Sequence, residues 1–192
     1  MILNKSDKNS VSECVQALKN GKIVIIPTDT VYGFSGIVMP GSSLDGDSKI
    51  KMIKGRAETK PFIQLIAKPE DIKNHTDDKI PQNLLSFWPG PLTIIVNNKN
   101  YEKDGLKTVA FRCPGDEWLR KIIEEAGAPV YSTSVNRSGN PVLETEDDIK
   151  AEFEKDVDLI VLDGDKKGSL PSTIVSVSDG NVKILREGAV KL

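Results

Sequence analysis

The chain has 192 residues, with 26 lysines and arginines against 28 aspartates and glutamates. No overall polycationic field drives unspecific nucleic-acid binding, so any cationic site must be a local cluster. Two cysteines, Cys14 and Cys113, stand far apart without CxxC spacing, which argues against a disulfide framework or zinc site and fits small buried residues in a reducing compartment.

This length suits one domain, 1–192. The start, MILNKSDKNS, lacks a charged-then-apolar leader pattern, and no apolar run approaches the ~20 residues of a bilayer span. A soluble, cytoplasmic chain with no membrane partner is expected. Val11, Cys14, Val15 and Leu18 recur at helical spacing, predicting a short amphipathic helix over 10–20 with Asn9 or Ser10 as N-cap and Gly21 past its end. Ile23 to Ile26 predict an interior strand, and Pro27 ends its ladder. Thr28, Asp29 and Thr30 then stand at the carboxyl end, where open α/β sheets bind ligands. A polar loop and turns are expected from there to residue 47. A brief helix near 48–53 delivers Lys54, Gly55 and Arg56.

Phe62–Ala67 predicts a buried strand, Pro81–Trp88 a short helix, and Trp88-Pro89-Gly90-Pro91 a rigid corner. Leu92–Val96 and the alternating Thr108–Arg112 predict strands joined by a polar hairpin-like connection. Trp118, Leu119, Ile122, Ile123 and Ala126 form one helical stripe, capped by Asp116 and ended by Gly127. Val130–Ser132 predicts a short strand running into a loop over 133–141, and Thr145 caps a helix whose Ile149 and Phe153 face inward. Asp158–Leu162, Thr173–Val177 and Val182–Leu185 close the chain as strands. Several connections are too short for parallel crossovers, so the fold class is α/β with a mixed sheet.

Lys54, Arg56 and Lys60 surround a glycine. They suit either a solvated charged loop or a polyphosphate clamp, and no GxxxxGK[ST] loop is present. Arg112 ends an apolar strand and must find a carboxylate or phosphate; an internal partner and a ligand are equally compatible. Ser132, Ser134 and Asn136 fall on one face, as a hydroxyl and amide row for ribose and phosphate or as turn-formers. Ser172, Thr173 and Arg186 repeat the theme. His75, the one histidine, is expected to be a solvated side chain, which leaves no Ser/His/Asp or Cys/His set. No protein-held metal is expected, and Mg2+ can arrive with nucleotide phosphates.

Taken in order, PTDTVYG at 27–33, KGR at 54–56, PGPLT at 89–93, TVAFR at 108–112, STSVNRSG at 132–139, PST at 171–173 and LREG at 185–188 resemble the YrdC-like family of threonylcarbamoyl-AMP synthases. The resemblance implies a strongly twisted mixed sheet flanked by helices around a concave cationic cavity, without the second, C-terminal domain of some members. It implies a nucleotidyltransferase joining L-threonine, bicarbonate and ATP into threonylcarbamoyl-adenylate with release of pyrophosphate. Downstream threonylcarbamoyl-transfer proteins would use the product to modify adenosine beside the anticodon of tRNA. By matched position, Thr30, Arg112, Ser132 and Ser172 would hold threonine. Lys54, Arg56, Lys60, Thr108, Ser134, Asn136, Val142 through its backbone, and Arg186 would line the ATP site, with Lys54 and Arg56 catalytic. Arg56→Ala and Arg112→Ala are expected to abolish activity with the fold intact. Two alternatives are a non-catalytic binder of double-stranded RNA or tRNA of the same fold, and a carbamoyl-adenylate step of hydrogenase maturation that consumes carbamoyl phosphate.

Overall fold

Side-chain alternation along the strands decides which face of the sheet is sealed and which stays open. The computed structural model describes residues 1–55 and 61–192. Its strands are β1 (Ile2–Asn4), β2 (Val24–Ile26), β3 (Gly33–Ile37), β4 (Ile63–Leu65), β5 (Leu92–Asn97), β6 (Thr108–Arg112), β7 (Val130–Ser134), β8 (Leu159–Leu162), β9 (Thr173–Ser176) and β10 (Lys183–Arg186). They form one mixed sheet in the order β1-β8-β2-β3-β7-β4-β6-β5-β9-β10. The helices are α1 (Ser10–Lys19), α2 (Asp47–Lys54), α3 (Gln82–Leu85), α4 (Tyr101–Asp104), α5 (Glu117–Ala126) and α6 (Glu146–Phe153), with a 3-10 turn at Pro69–Asn74. Among the described residues no helix is long and apolar enough to cross a membrane.

Strand β2 lies between β8, parallel, and β3, antiparallel. Val24 and Ile26 pack against Cys14 and Leu18 of α1 and Leu119 and Ile122 of α5. Ile25 turns the other way, towards Phe34, Ile50 of α2 and Phe153 of α6. Phe34 and Phe153 meet edge to face, with centroids 4.8 Å apart. This half of the sheet is therefore covered on both sides, as the β-branched run predicts. In the other half, Ile94, Val109, Phe111 and Val175 point to Ile72, Leu84 and Trp88. The alternate residues Ile95, Thr108, Ala110, Arg112 and Ile174 face an open hollow.

Strands β1, β3 and β7 differ from expectation. The stretch expected to be polar loop contains β3, a central strand paired with β2 and β7. Its glycines reflect close packing: a β-carbon on Gly36 would lie 2.8 Å from Ile23 Cδ1 and 3.0 Å from the Gly46 Cα. Pairing of Gly33 with Ser134 also carries β7 two residues beyond the expected Ser132. The amino-terminal β1 pairs in parallel with β8, although no strand was expected there. The helix expected over 81–88 is a single turn, Gln82–Leu85. His75, expected to be solvated, is half-buried, its ring centroid 4.7 Å from that of Phe111. The caps of α5 and α6 form as the sequence predicts: Asp116 accepts from the amides of Trp118 and Leu119, and Thr145 from that of Asp148.

Cys14, Cys113 and Tyr32 are buried, and loss of hydration pushes each pKa up to about 12. In the unfolded chain these groups ionise near their ordinary values of 9.0 for the thiols and 10.0 for the phenol. Their contribution to stability is present in full below about pH 9 and is lost as pH rises towards 12. Urea unfolding under reductant should give a lower stability at pH 10 than at pH 8, with a slope of up to about 1.4 kcal/mol per pH unit per thiol.

Candidate active site

The open face of β5, β6 and β9 floors a cavity of about 500 Å3, walled by the Thr28–Gly33 loop and by Ser132–Ser134 of β7. Ile95, Ala110 and Ile174 give it an apolar floor, and Arg112 and Arg186 both reach it.

Arg112 is 4 % exposed and answers the question left open by its sequence. Its Nη2 pairs with Asp29 Oδ1, Nη1 donates to Thr30 Oγ1 at 3.0 Å, and Nε donates to the Gly90 carbonyl at 3.2 Å. A guanidinium has five N–H groups, so two remain after these three bonds among the described residues. Asp29 is fixed in turn by the Gly115 amide at 2.9 Å. The rigid corner pins the same strand end, because the Gly90 amide donates to the Cys113 carbonyl at 2.8 Å. Burial lowers the Arg112 pKa, Asp29 opposes that, and nearby Arg186 adds to the lowering; the guanidinium stays charged.

Hydroxyl protons in the loop can be assigned by counting. The one proton of Thr28 goes to the Val31 carbonyl at 2.7 Å, so the 2.9 Å contact between Thr28 and Thr30 uses the proton of Thr30. Thr30 Oγ1 is thereby left as an acceptor towards Arg112 and the cavity. Across the hollow, the Ser172 hydroxyl meets Thr93 Oγ1 at 2.8 Å. The Ser172 carbonyl accepts from Arg186 Nη2 at 2.7 Å and Nε at 3.2 Å. Partial burial lowers the Arg186 pKa.

Gly33 leaves room for Ser132: a β-carbon there would sit 3.0 Å from Ser132 Oγ. Gly33→Ala should therefore displace that hydroxyl. A several-fold weaker affinity for the ligand it touches is expected by titration calorimetry, with a stability change under about 1 kcal/mol.

Lys54 and Asn136 are not among the residues lining the cavity. Lys54 is 4 % exposed, and its Nζ donates to the Ser134 carbonyl at 2.6 Å, Asn136 Oδ1 at 2.9 Å and the Asn136 carbonyl at 3.0 Å. Asn136 Oδ1 also accepts from Ser134 Oγ at 2.8 Å, while Nδ2 closes the loop onto the Arg137 and Asn140 carbonyls. Thr108, Ser132 and Ser134 do line the cavity. Val142 is exposed and belongs to a separate groove with Glu144 and Lys167. Arg56 and Lys60 lie outside the described residues. Among the described residues, no three His, Cys, Asp or Glu side chains gather as a metal-binding group.

Residues 16–188 match the Sua5/YciO/YrdC family model, described as "Telomere recombination". The chain belongs to this family. A putative threonylcarbamoyl-AMP synthase of Methanocaldococcus jannaschii is 31% identical over 195 aligned positions, covering 99% of this chain and 91% of that protein. The Bacillus subtilis threonylcarbamoyl-AMP synthase is 29% identical over 94% of this chain, which spans only 54% of that relative's length. The crystal structure of Pyrococcus abyssi Sua5 complexed with L-threonine superposes over the whole chain and 58% of its own, with a TM-score of 0.84 and 28% identity. Escherichia coli YciO shares the fold, with a TM-score of 0.81 at 22% identity over 100% of this chain and 95% of its own.

Three side chains of this Sua5/YciO/YrdC domain escape a search for ligand contacts. Asp29 orients Arg112, Thr28 orders Thr30, and Thr93, fully buried, holds Ser172. Asp29 had one available signal, a carboxylate at a strand end in a chain with a buried arginine to satisfy. Thr28 has its place at the carboxyl end of a strand, and Thr93 has no signal beyond its place in a quoted motif.

Proposed function

We propose that the chain is an L-threonylcarbamoyl-AMP synthase. The carrying observation is Arg112, held by Asp29 with N–H groups to spare in the same cavity as Ser172 and Arg186. Such a pocket fits an amino-acid carboxylate at one end and a nucleotide at the other. The relatives named threonylcarbamoyl-AMP synthases and the threonine complex of P. abyssi Sua5 support the same substrates.

Arg112 takes the threonine carboxylate. Thr30, an acceptor only, suits the N–H of the threonine amine, and Ser132 and Ser172 complete that end. The neutral amine adds to CO2 derived from bicarbonate, losing a proton to form a carbamate. The carbamate oxygen attacks the α-phosphate, and the bond to the bridging oxygen breaks as pyrophosphate departs. No protein nucleophile is required, so the protein contributes orientation and charge. Thr108, Ser134 and Arg186 serve the nucleotide end of the cavity. Arg56 and Lys60, which lie outside the described residues, are assigned to it by the family resemblance alone, and Val142, in its separate groove, is not. Lys54 acts through Ser134 and Asn136, whose loop it anchors. Mg2+ carried in with the ATP phosphates would supply further neutralisation of their charge. The product serves downstream threonylcarbamoyl-transfer proteins acting on tRNA, and a cytoplasmic setting fits the two unpaired thiols.

Pyrophosphate release measured with each component omitted in turn tests this. Release should need ATP, threonine and bicarbonate together. Turnover with carbamoyl phosphate in place of threonine would move the chain to the carbamoyl-adenylate chemistry. Salt-dependent binding of double-stranded RNA or tRNA without turnover would make it a binding module.

A further inference from the structure

Ser172, just before β9, and Ile174 within it line the cavity, so Thr173 between them points away from it. It is 1 % exposed, yet among the described residues its hydroxyl is bound by the carboxyl-terminal tail alone. Thr173 Oγ1 accepts from the amides of Gly188 and Val190, each at 3.0 Å, and donates to the Val190 carbonyl at 2.5 Å. One proton and two lone pairs are all a hydroxyl has, so this one is saturated. Alongside it, the Ala189 amide donates to the Pro171 carbonyl at 2.9 Å. Gly188 admits no side chain, because a β-carbon would lie 2.2 Å from the Pro171 oxygen. The β9–β10 register shifts between Ile184 and Arg186, leaving the ladder irregular where it delivers the guanidinium.

We infer that Thr173 is a positioning residue for the nucleotide: its hydroxyl clasps the tail against β9 and so keeps Arg186 over Ser172 at the cavity. The identity of the ligand at Arg186 rests on the synthase assignment; the clasp itself does not. Without the hydroxyl, two amides and a carbonyl turn to water at the partly exposed tail. The tail then frays while the buried sheet persists, and Arg186 must be ordered again each time a nucleotide binds.

The test compares Thr173→Val, which keeps the shape, with Thr173→Ser, which keeps the hydroxyl. Hydrogen exchange at Gly188 and Val190 and calorimetric titration of ATP and L-threonine are the readouts. Thr173→Val should expose both amides and weaken ATP binding about tenfold, with threonine affinity unchanged within about twofold; Thr173→Ser should restore both. Unaltered ATP affinity in Thr173→Val, or equal loss of both ligands, would overturn the inference. Should Thr173→Val fail to fold, Gly188→Ala releases the tail from its other side and must give the same split. If the wild-type chain takes no ATP, the synthase assignment falls. The clasp is then decided by exchange alone, and protection retained in Thr173→Val would end it.

Discussion

Arg112→Ala should lower kcat/KM for threonine by about 10²–10³-fold in a pyrophosphate-release assay, while ATP affinity changes by no more than about threefold. The guanidinium is the cationic group beside Thr30, and it is pre-oriented by three bonds before any ligand arrives. A truncated side chain loses both the charge and the geometry that would receive a carboxylate. Arg112→Lys should recover little, since one ammonium cannot replace a planar fork that spans Gly90, Thr30 and Asp29. Stability should fall as well, which departs from the expectation of an intact fold drawn from sequence. Removing the arginine leaves Asp29, whose side chain is 18 % exposed, with the Gly115 amide alone among the described residues. Breaking such a pair costs about 3 kcal/mol. Adding Asp29→Asn to Arg112→Ala should return much of that loss without restoring activity. Equal denaturation midpoints for the single and double variants would show that Asp29 finds water instead.

The legible part of this site lay in alternation. In β6 the sequence TVAFR separates Val109 and Phe111 from Thr108, Ala110 and Arg112, so one period-two pattern marks both the sealed and the open face. The same rule puts Ser132 and Ser134 together at the cavity but fails at Asn136, whose side chain turns to Lys54 and to the loop carbonyls instead. Strand β3 was illegible because glycine and serine, which propensity assigns to loops, stand there to let neighbouring backbone and the Ser132 hydroxyl approach closely. That pressure comes from residues far along the chain and has no local signature. Asp29 illustrates the same limit from the other side: PTDT shows a carboxylate, but only the fold shows that Gly115 and Arg112 both close on it. In the sequence Thr173 is one of several late hydroxyls, and its role becomes visible only when the tail returns across β9.

Lys54→Met should weaken ATP binding by about 10–10²-fold and cost about 3 kcal/mol of stability, although the ammonium is directed at the protein rather than at the cavity. Sequence alone groups Lys54 with Arg56 and Lys60 as either a solvated charged loop or a phosphate clamp, and the family resemblance implies the second. In the structure it ends α2, lies 5.3 Å from the Phe34 ring centroid and donates to Ser134 and Asn136. Its own carbonyl also accepts the Ser138 amide at 2.8 Å, so one residue ties the loop after β7 to the helix by both side chain and backbone. Methionine keeps the buried stem but leaves three oxygens short of a charged donor, and the Ser134 hydroxyl loses the fixed Asn136 amide that orients it. Asn136→Ala should produce a similar loss of ATP affinity with no change of charge. The double variant discriminates between indirect and direct action. If Lys54 works through Asn136, the two losses overlap and the double variant is little worse than either single one. If the ammonium itself meets a phosphate, the losses add, and Lys54 is a nucleotide contact as the motif alone suggests.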